Sequence, residues 1–184
     1  MDQLVFLDES GANERTGDRK YGWSPIGLTC IQSRLIQRFE RWSILPALTI
    51  DGYLDYIIHH GTITAELFME FVEERVLPSC SPYPGPRSVL VLDNASIHKN
   101  IRLQQLCNDA GVLLKFLPPY SPDYNPIEAT FGDLKAWIRR NYMLAADFEA
   151  FGDFLDFAVQ QACKGRMEGH FREAGYILDD KLLE

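Results

Sequence analysis

SVLVLDNASIH, residues 88–98, is the stretch from which the rest of the chain can be read. Val89, Leu90, Val91 and Leu92 form an apolar run without alternation, which suits a strand covered on both faces. Asp93 ends the run, and such strands deliver polar groups at their carboxyl ends, where open α/β sheets place ligands. A second run of the same kind, Leu4-Val5-Phe6-Leu7, ends in Asp8. Downstream, LPPYSPDYNPIE (117–128) begins with a proline-rich loop that cannot be helical and is stiff. Its end reads as a helix start, with Asn125 as N-cap, Pro126 at the first helical position and Glu128 at the third. A rigid loop therefore sets where Glu128 points.

The rest of the chain fills in between these points. Aromatic and branched residues predict strands over about 38–50 and 53–59, and Asp51-Gly52 between them is a hairpin turn. Thr64 caps a helix that turns Leu67, Phe68, Phe71, Val72 and Val76 to one face and Glu66, Glu70, Glu73 and Glu74 off it. A proline-rich connector spans 78–86. A helix over about 99–110, with Ile101, Leu106 and Cys107 inward, ends at Gly111, and 112–117 is the fifth strand. The helix opened by Asn125 runs to about 141, and further helices are expected over about 147–164 and 166–177. Phe148, Phe151, Leu155, Ala158 and Ala162 share a face in the first of these. With 184 residues and 46% hydrophobic content, the chain reads as one domain with enough length for a real core.

DNASIH, LPPYSPDYNPIE and the 34 residues between Asp93 and Glu128 resemble the catalytic domain of mariner-like DDE transposases. Asp8 matches the third, upstream acid of that family, and the resemblance runs from about Leu4 to Asn141. Three motifs in the right order carry far more weight than one. The resemblance implies an α/β, RNase H-like fold with a five-stranded mixed sheet flanked by helices. It implies catalytic and metal-binding roles for Asp8, Asp93 and Glu128, Mg²⁺ or Mn²⁺ as a pair of ions, and DNA cleavage followed by joining of a 3′-OH. The implied partners are transposon ends, target DNA and a second copy of the chain, in the nucleus of a eukaryote. Family members carry helix-turn-helix segments ahead of the first catalytic strand, whereas here that strand begins at Leu4.

Each residue also has a plainer reading. Asp8 could be a turn residue, Asp93 an Asx-turn at a helix entry, and Glu128 the capping partner of Asn125. Their joint order and spacing favours chemistry, since two Mg²⁺ ions roughly 3.5–4 Å apart can activate a nucleophile and stabilise a leaving alkoxide, and Mg²⁺ takes oxygen ligands. Without cations, three such carboxylates repel one another. Asn94 and His98 belong to the first motif and are candidate substrate contacts, as are Lys135, Arg139 and Arg140 toward phosphate. A helix-start histidine and a solvated helix face are the alternatives. Tyr120, Ser121, Pro122 and Asn125 are expected to shape the loop. Glu9, Asp123 and Asp133 are acids near the motifs but outside them, and His59-His60 have no metal-ligand partners at useful spacing.

The net charge of −8 counts against strong DNA binding. Basic residues nevertheless gather near the motifs: Arg15, Arg19 and Lys20 after Asp8, and Lys135, Arg139 and Arg140 after Glu128. No apolar stretch approaches a membrane span, and Met1–Ser10 has no basic n-region and is too short for a signal peptide. Cys30, Cys80, Cys107 and Cys163 are scattered, as in an intracellular protein with reduced thiols. Two other functions stay open: a catalytically inactive truncated relic that acts as a dimerisation module, and a hydrolase of RNA–DNA hybrids or structured DNA on the same fold.

Overall fold

A computed structural model describes residues 1–13, 16, 22–31, 40–95, 100–165 and 167–176. His98, Arg15, Arg19 and Lys20, and the expected start of a strand near 38, lie outside the described residues.

The sheet contains β1 (Leu4–Leu7), β2 (Ser10–Ala12), β3 (Trp42–Thr49), β4 (Gly52–His60), β5 (Val89–Leu92) and β6 (Leu113–Phe116). β1 lies parallel to β5, and β5 parallel to β6, while β3 runs antiparallel to β1, β2 and β4. β1 and β2 are two halves of one lane. Phe6 pairs with Leu48 and Leu7 with Ala47, and the same register resumes at Ser10 with Ile44 and Ala12 with Trp42. The six segments therefore make five lanes, in keeping with the five-stranded mixed sheet expected. The break falls at Asp8 and Glu9. Carrying the register through it sets Asp8 opposite Pro46, which has no N–H to give to a ladder.

The unalternated runs are explained by burial on both faces. Val5, Leu7, Leu90 and Leu92 pack with Phe68, Val72 and Val76 of the first helical segment and with Leu103 and Cys107 of the second. Phe6, Val89 and Val91 point the other way, onto Ile127, Phe131 and Phe171. The helices are α1 (Ala65–Phe71), α2 (Ile101–Asp109), α3 (Pro126–Asn141), α4 (Phe151–Ala162) and α5 (Glu168–Glu173). α1 and α2 cover one face, and α3, α4 and α5 the other.

Local signals act largely as expected. The Thr64 hydroxyl accepts from Leu67 N–H at 3.2 Å and caps α1, which continues through a π turn, Val72–Val76. Gly52 takes φ 122° in the β3–β4 hairpin and Gly111 φ 70° after α2, backbone states that glycine adopts without a Cβ clash. The expected inward face of α2 needs correction. Ile101 is 79% exposed, and Leu103 fills the core instead. Asn100 caps α2 through Arg102 N–H at 2.9 Å, so Ile101 falls at the first helical position, ahead of the turn that packs. α4 buries Phe154, Leu155, Ala158 and Val159, with Phe148 packed beside them. All four cysteines are free, and no helix among the described residues is long and apolar enough to cross a membrane.

Candidate active site

The sheet brings Asp8 and Asp93 side by side. Leu7 and Leu92 are register partners on parallel strands, so each acid is one residue beyond a paired position, on strands roughly 5 Å apart. Alternation along the strands turns both toward the side occupied by Phe6 and Val91, where α3 packs. α3 is seated by Ile127 and Phe131 in that core. It is tied further by Thr130, whose hydroxyl donates to the Ile127 carbonyl at 2.7 Å and is 2.7 Å from the Tyr53 hydroxyl of β4. Glu128, between the two anchors, projects from the first turn of α3 and is exposed.

The three acids line one cleft of about 440 Å³, walled by Asn94, Asn125 and the loop from Leu117 to Pro122. Asp8 Oδ1 accepts from Glu9 N–H at 2.8 Å, and Asp93 Oδ1 from Ala95 N–H at 2.8 Å. Burial pushes the Asp8 carboxyl up to about 7, opposed by the Glu9 N–H bond and reinforced by the negative charges of Asp93, Glu128 and Glu9. A proton or a cation on Asp8 relieves the same penalty.

Asn125 is the functional candidate that sequence reasoning missed. Read as a side-chain cap, it begins α3 but makes no cap bond. Its carboxamide Nδ2 instead donates to Asp8 Oδ2 at 2.8 Å. Asn125 is buried and its Oδ1 has no hydrogen-bond partner. The only advance signal was an asparagine three positions ahead of a candidate acid, which a cap explains equally well.

The oxygen-only donor set, the penalty on Asp8 and the orphaned Asn125 Oδ1 beside it fit a hard divalent cation. Among the described residues no three His, Cys, Asp or Glu side chains are already gathered into a ready-made metal cage.

The other candidates separate. The Asn94 side-chain N–H donates to the Leu117 carbonyl, which ties the end of β5 to the start of the loop. That donor is therefore used within the protein, although Asn94 still lines the cleft. Lys135 and Arg139 follow Glu128 by seven and eleven residues on α3, within about 20° of its direction at 3.6 residues per turn. Arg140 lies about 120° away on the same count. Asp133 is paired with His170 at 3.0 Å, and His60 with Glu40 at 3.2 Å.

Two adjacent parallel strands each ending in an acid, with a third acid at the start of a helix packed across them, define an RNase H-like domain with an acidic cleft. The chain belongs to the DDE superfamily endonuclease family, which matches residues 3–150. Among solved structures it is similar to the Mos1 mariner paired end complex with Mn, with TM-score 0.65 and 15% identity over 94% of this chain and 52% of that one. The Mos1 transposase paired-end complex with left transposon end gives TM-score 0.63 and 16% identity over 94% and 51%. The Mos1 transposase catalytic domain with Raltegravir and Mg gives 0.55 and 15% over 94% and 77%. At these identities the likeness is one of fold, and the chain spans about half the length of the first two. No curated protein matches the chain.

Proposed function

We propose that the chain is the catalytic domain of a mariner-like DNA transposase, hydrolysing phosphodiesters at transposon ends and joining the freed 3′-OH to target DNA. The observation that carries this reading is the cleft shared by Asp8, Asp93 and Glu128, from two strand ends and one helix start. Likeness in fold to structures whose names include Mn, Mg and a transposon end supports it.

In this reading Asp8, Asp93 and Glu128 are the residues that would hold Mg²⁺ or Mn²⁺, as a pair of ions. Bound ions supply Lewis-acid stabilisation of the attacking and leaving oxygens. The chain's own residues set the stage. Asn125 orients the Asp8 carboxylate, the Leu117–Pro122 loop walls the cleft, and Lys135 and Arg139 lie on a line leading away from Glu128 that a phosphate backbone can follow. Asn94 braces the cleft wall through the Leu117 carbonyl, and His98, from the same sequence motif, is a candidate substrate contact. Transposon ends, target DNA and a second copy of the chain are the partners, and the nucleus is the place of action in a eukaryote. The 184 residues work as one domain.

The test is nicking of supercoiled plasmid by the purified chain. Relaxation that requires Mg²⁺ or Mn²⁺ and disappears in Asp93→Asn supports the reading. A metal-independent activity, or one that survives Asp93→Asn, contradicts it.

A further inference from the structure

Tyr120 sits in the wall of the acidic cleft, yet its side chain is fully exposed. Its backbone has φ 56°, a left-handed state that bulky residues seldom occupy. Sequence reasoning assigned it to shaping the loop, but a ring without burial shapes nothing by packing. The loop is held without it. Pro118, Pro119 and Pro122 fix the flanking φ angles, the Ser121 hydroxyl donates to the Pro119 carbonyl at 3.2 Å, and Asn94 donates to the Leu117 carbonyl. The protein thus keeps a strained backbone to present an aromatic face to solvent beside three acids, and such strain persists where a site uses it.

We propose that Tyr120 is a stacking platform for an unpaired base of the DNA substrate, seating the strand against the carboxylate cleft. This rests on the reading of the cleft as a DNA-cleaving site. The ring is neutral, so it offers affinity that the chain's negative charge does not oppose. Every base has a π face and aromatic stacking is tolerant of sequence. A paired base within a duplex is stacked between its neighbours, so the class of ligand is an unpaired nucleotide, overhanging a strand end or turned out of the helix.

The experiment uses the 184-residue chain in Ca²⁺ at low salt, with a duplex bearing a short 3′ overhang that contains 2-aminopurine, and a blunt duplex for comparison. Wild type and Tyr120→Phe should quench the probe. Tyr120→Asn removes the ring and keeps a residue that accepts positive φ. It should lose the quench, bind the overhang roughly tenfold or more weakly, leave blunt-duplex affinity unchanged and melt no lower than wild type. A Tyr120→Asn protein that quenches and binds the overhang like wild type overturns the proposal. So does loss of self-association in that variant with the quench intact, which would assign the ring to a contact between copies. A wild type that nicks plasmid with Mg²⁺ but ignores the overhang overturns this proposal alone, whereas one that neither nicks nor binds DNA overturns the reading of the cleft as well.

Discussion

The carboxamide of Asn125 donates to Asp8 Oδ2 at 2.8 Å, so the residue that begins α3 holds the acid that ends β1. One hydrogen bond thereby links two of the three elements that supply the cleft. It also accounts for why Asn125 makes no cap bond. Removing it should loosen Asp8 without removing any acid. Partners that orient metal ligands typically cost 10–100-fold in affinity or activity when mutated. Asn125→Ala should therefore lower metal-dependent nicking by about that factor, checked by plasmid relaxation rates over a Mn²⁺ titration that separates weaker binding from slower turnover. An unchanged Mn²⁺ dependence would mean that the bond does not orient Asp8.

The position of Asp8 makes the fold sensitive to pH. Its carboxyl is pushed up to about 7 from an ordinary value of 3.8. Between those values the folded chain keeps a proton that the unfolded chain has lost, so without metal the contribution of this group to stability falls as pH rises from about 4 to about 7. A divalent cation competes with that proton, so its affinity should rise over the same window. Melting curves in EDTA across this range should show the decline, and Asp8→Asn should flatten it.

DNA affinity should depend on which α3 cations are kept. Lys135 and Arg139 share a line with Glu128, and Arg140 does not. Lys135→Ala and Arg139→Ala should weaken binding about equally for all sequences and reduce the salt slope by about one each, with a smaller effect from Arg140→Ala. Filter binding over a salt series measures this. Equal losses at all three positions would show that the backbone does not follow that line.

Packing away from the cleft gives a prediction on stability alone. A Cβ on Gly152 would stand 2.6 Å from the Trp42 ring, which lies across the start of α4. Gly152→Ala should cost about 1–3 kcal/mol as an overpacked contact, despite the better helix propensity of alanine. Denaturant unfolding measures the loss, and the response to metal should be retained.

The strands and acids were legible because buried parallel strands leave an unbroken apolar run, and Asp8 and Asp93 each terminate one. Glu128 was legible because proline fixes the chain on both sides of its helix start. What the sequence did not disclose depends on distant partners. The break in the first lane at Asp8 coincides with Pro46 on a different strand, and nothing in Leu4–Ser10 signals it. Asn125 was read by its local role as a cap because a neighbour 117 residues away is invisible to local patterns. Ile101 fitted the apolar face of a helix begun at about 99, but the helix starts at 101, with Asn100 as its cap, and leaves Ile101 in solvent.

If Asp8, Asp93 and Glu128 together receive divalent metal, the melting temperature should rise during a Mg²⁺ or Mn²⁺ titration. A ligand bound only to the folded chain at ten times its Kd stabilises by about 1.4 kcal/mol, which is roughly 3–6 °C for a chain of this size. Wild type should gain that shift beyond an ionic-strength control. Asp93→Asn should lose it, and Asp133→Asn, whose partner is His170 outside the cleft, should keep it. Equal shifts in the two variants, or no shift in wild type while metal-dependent nicking persists, would contradict the account.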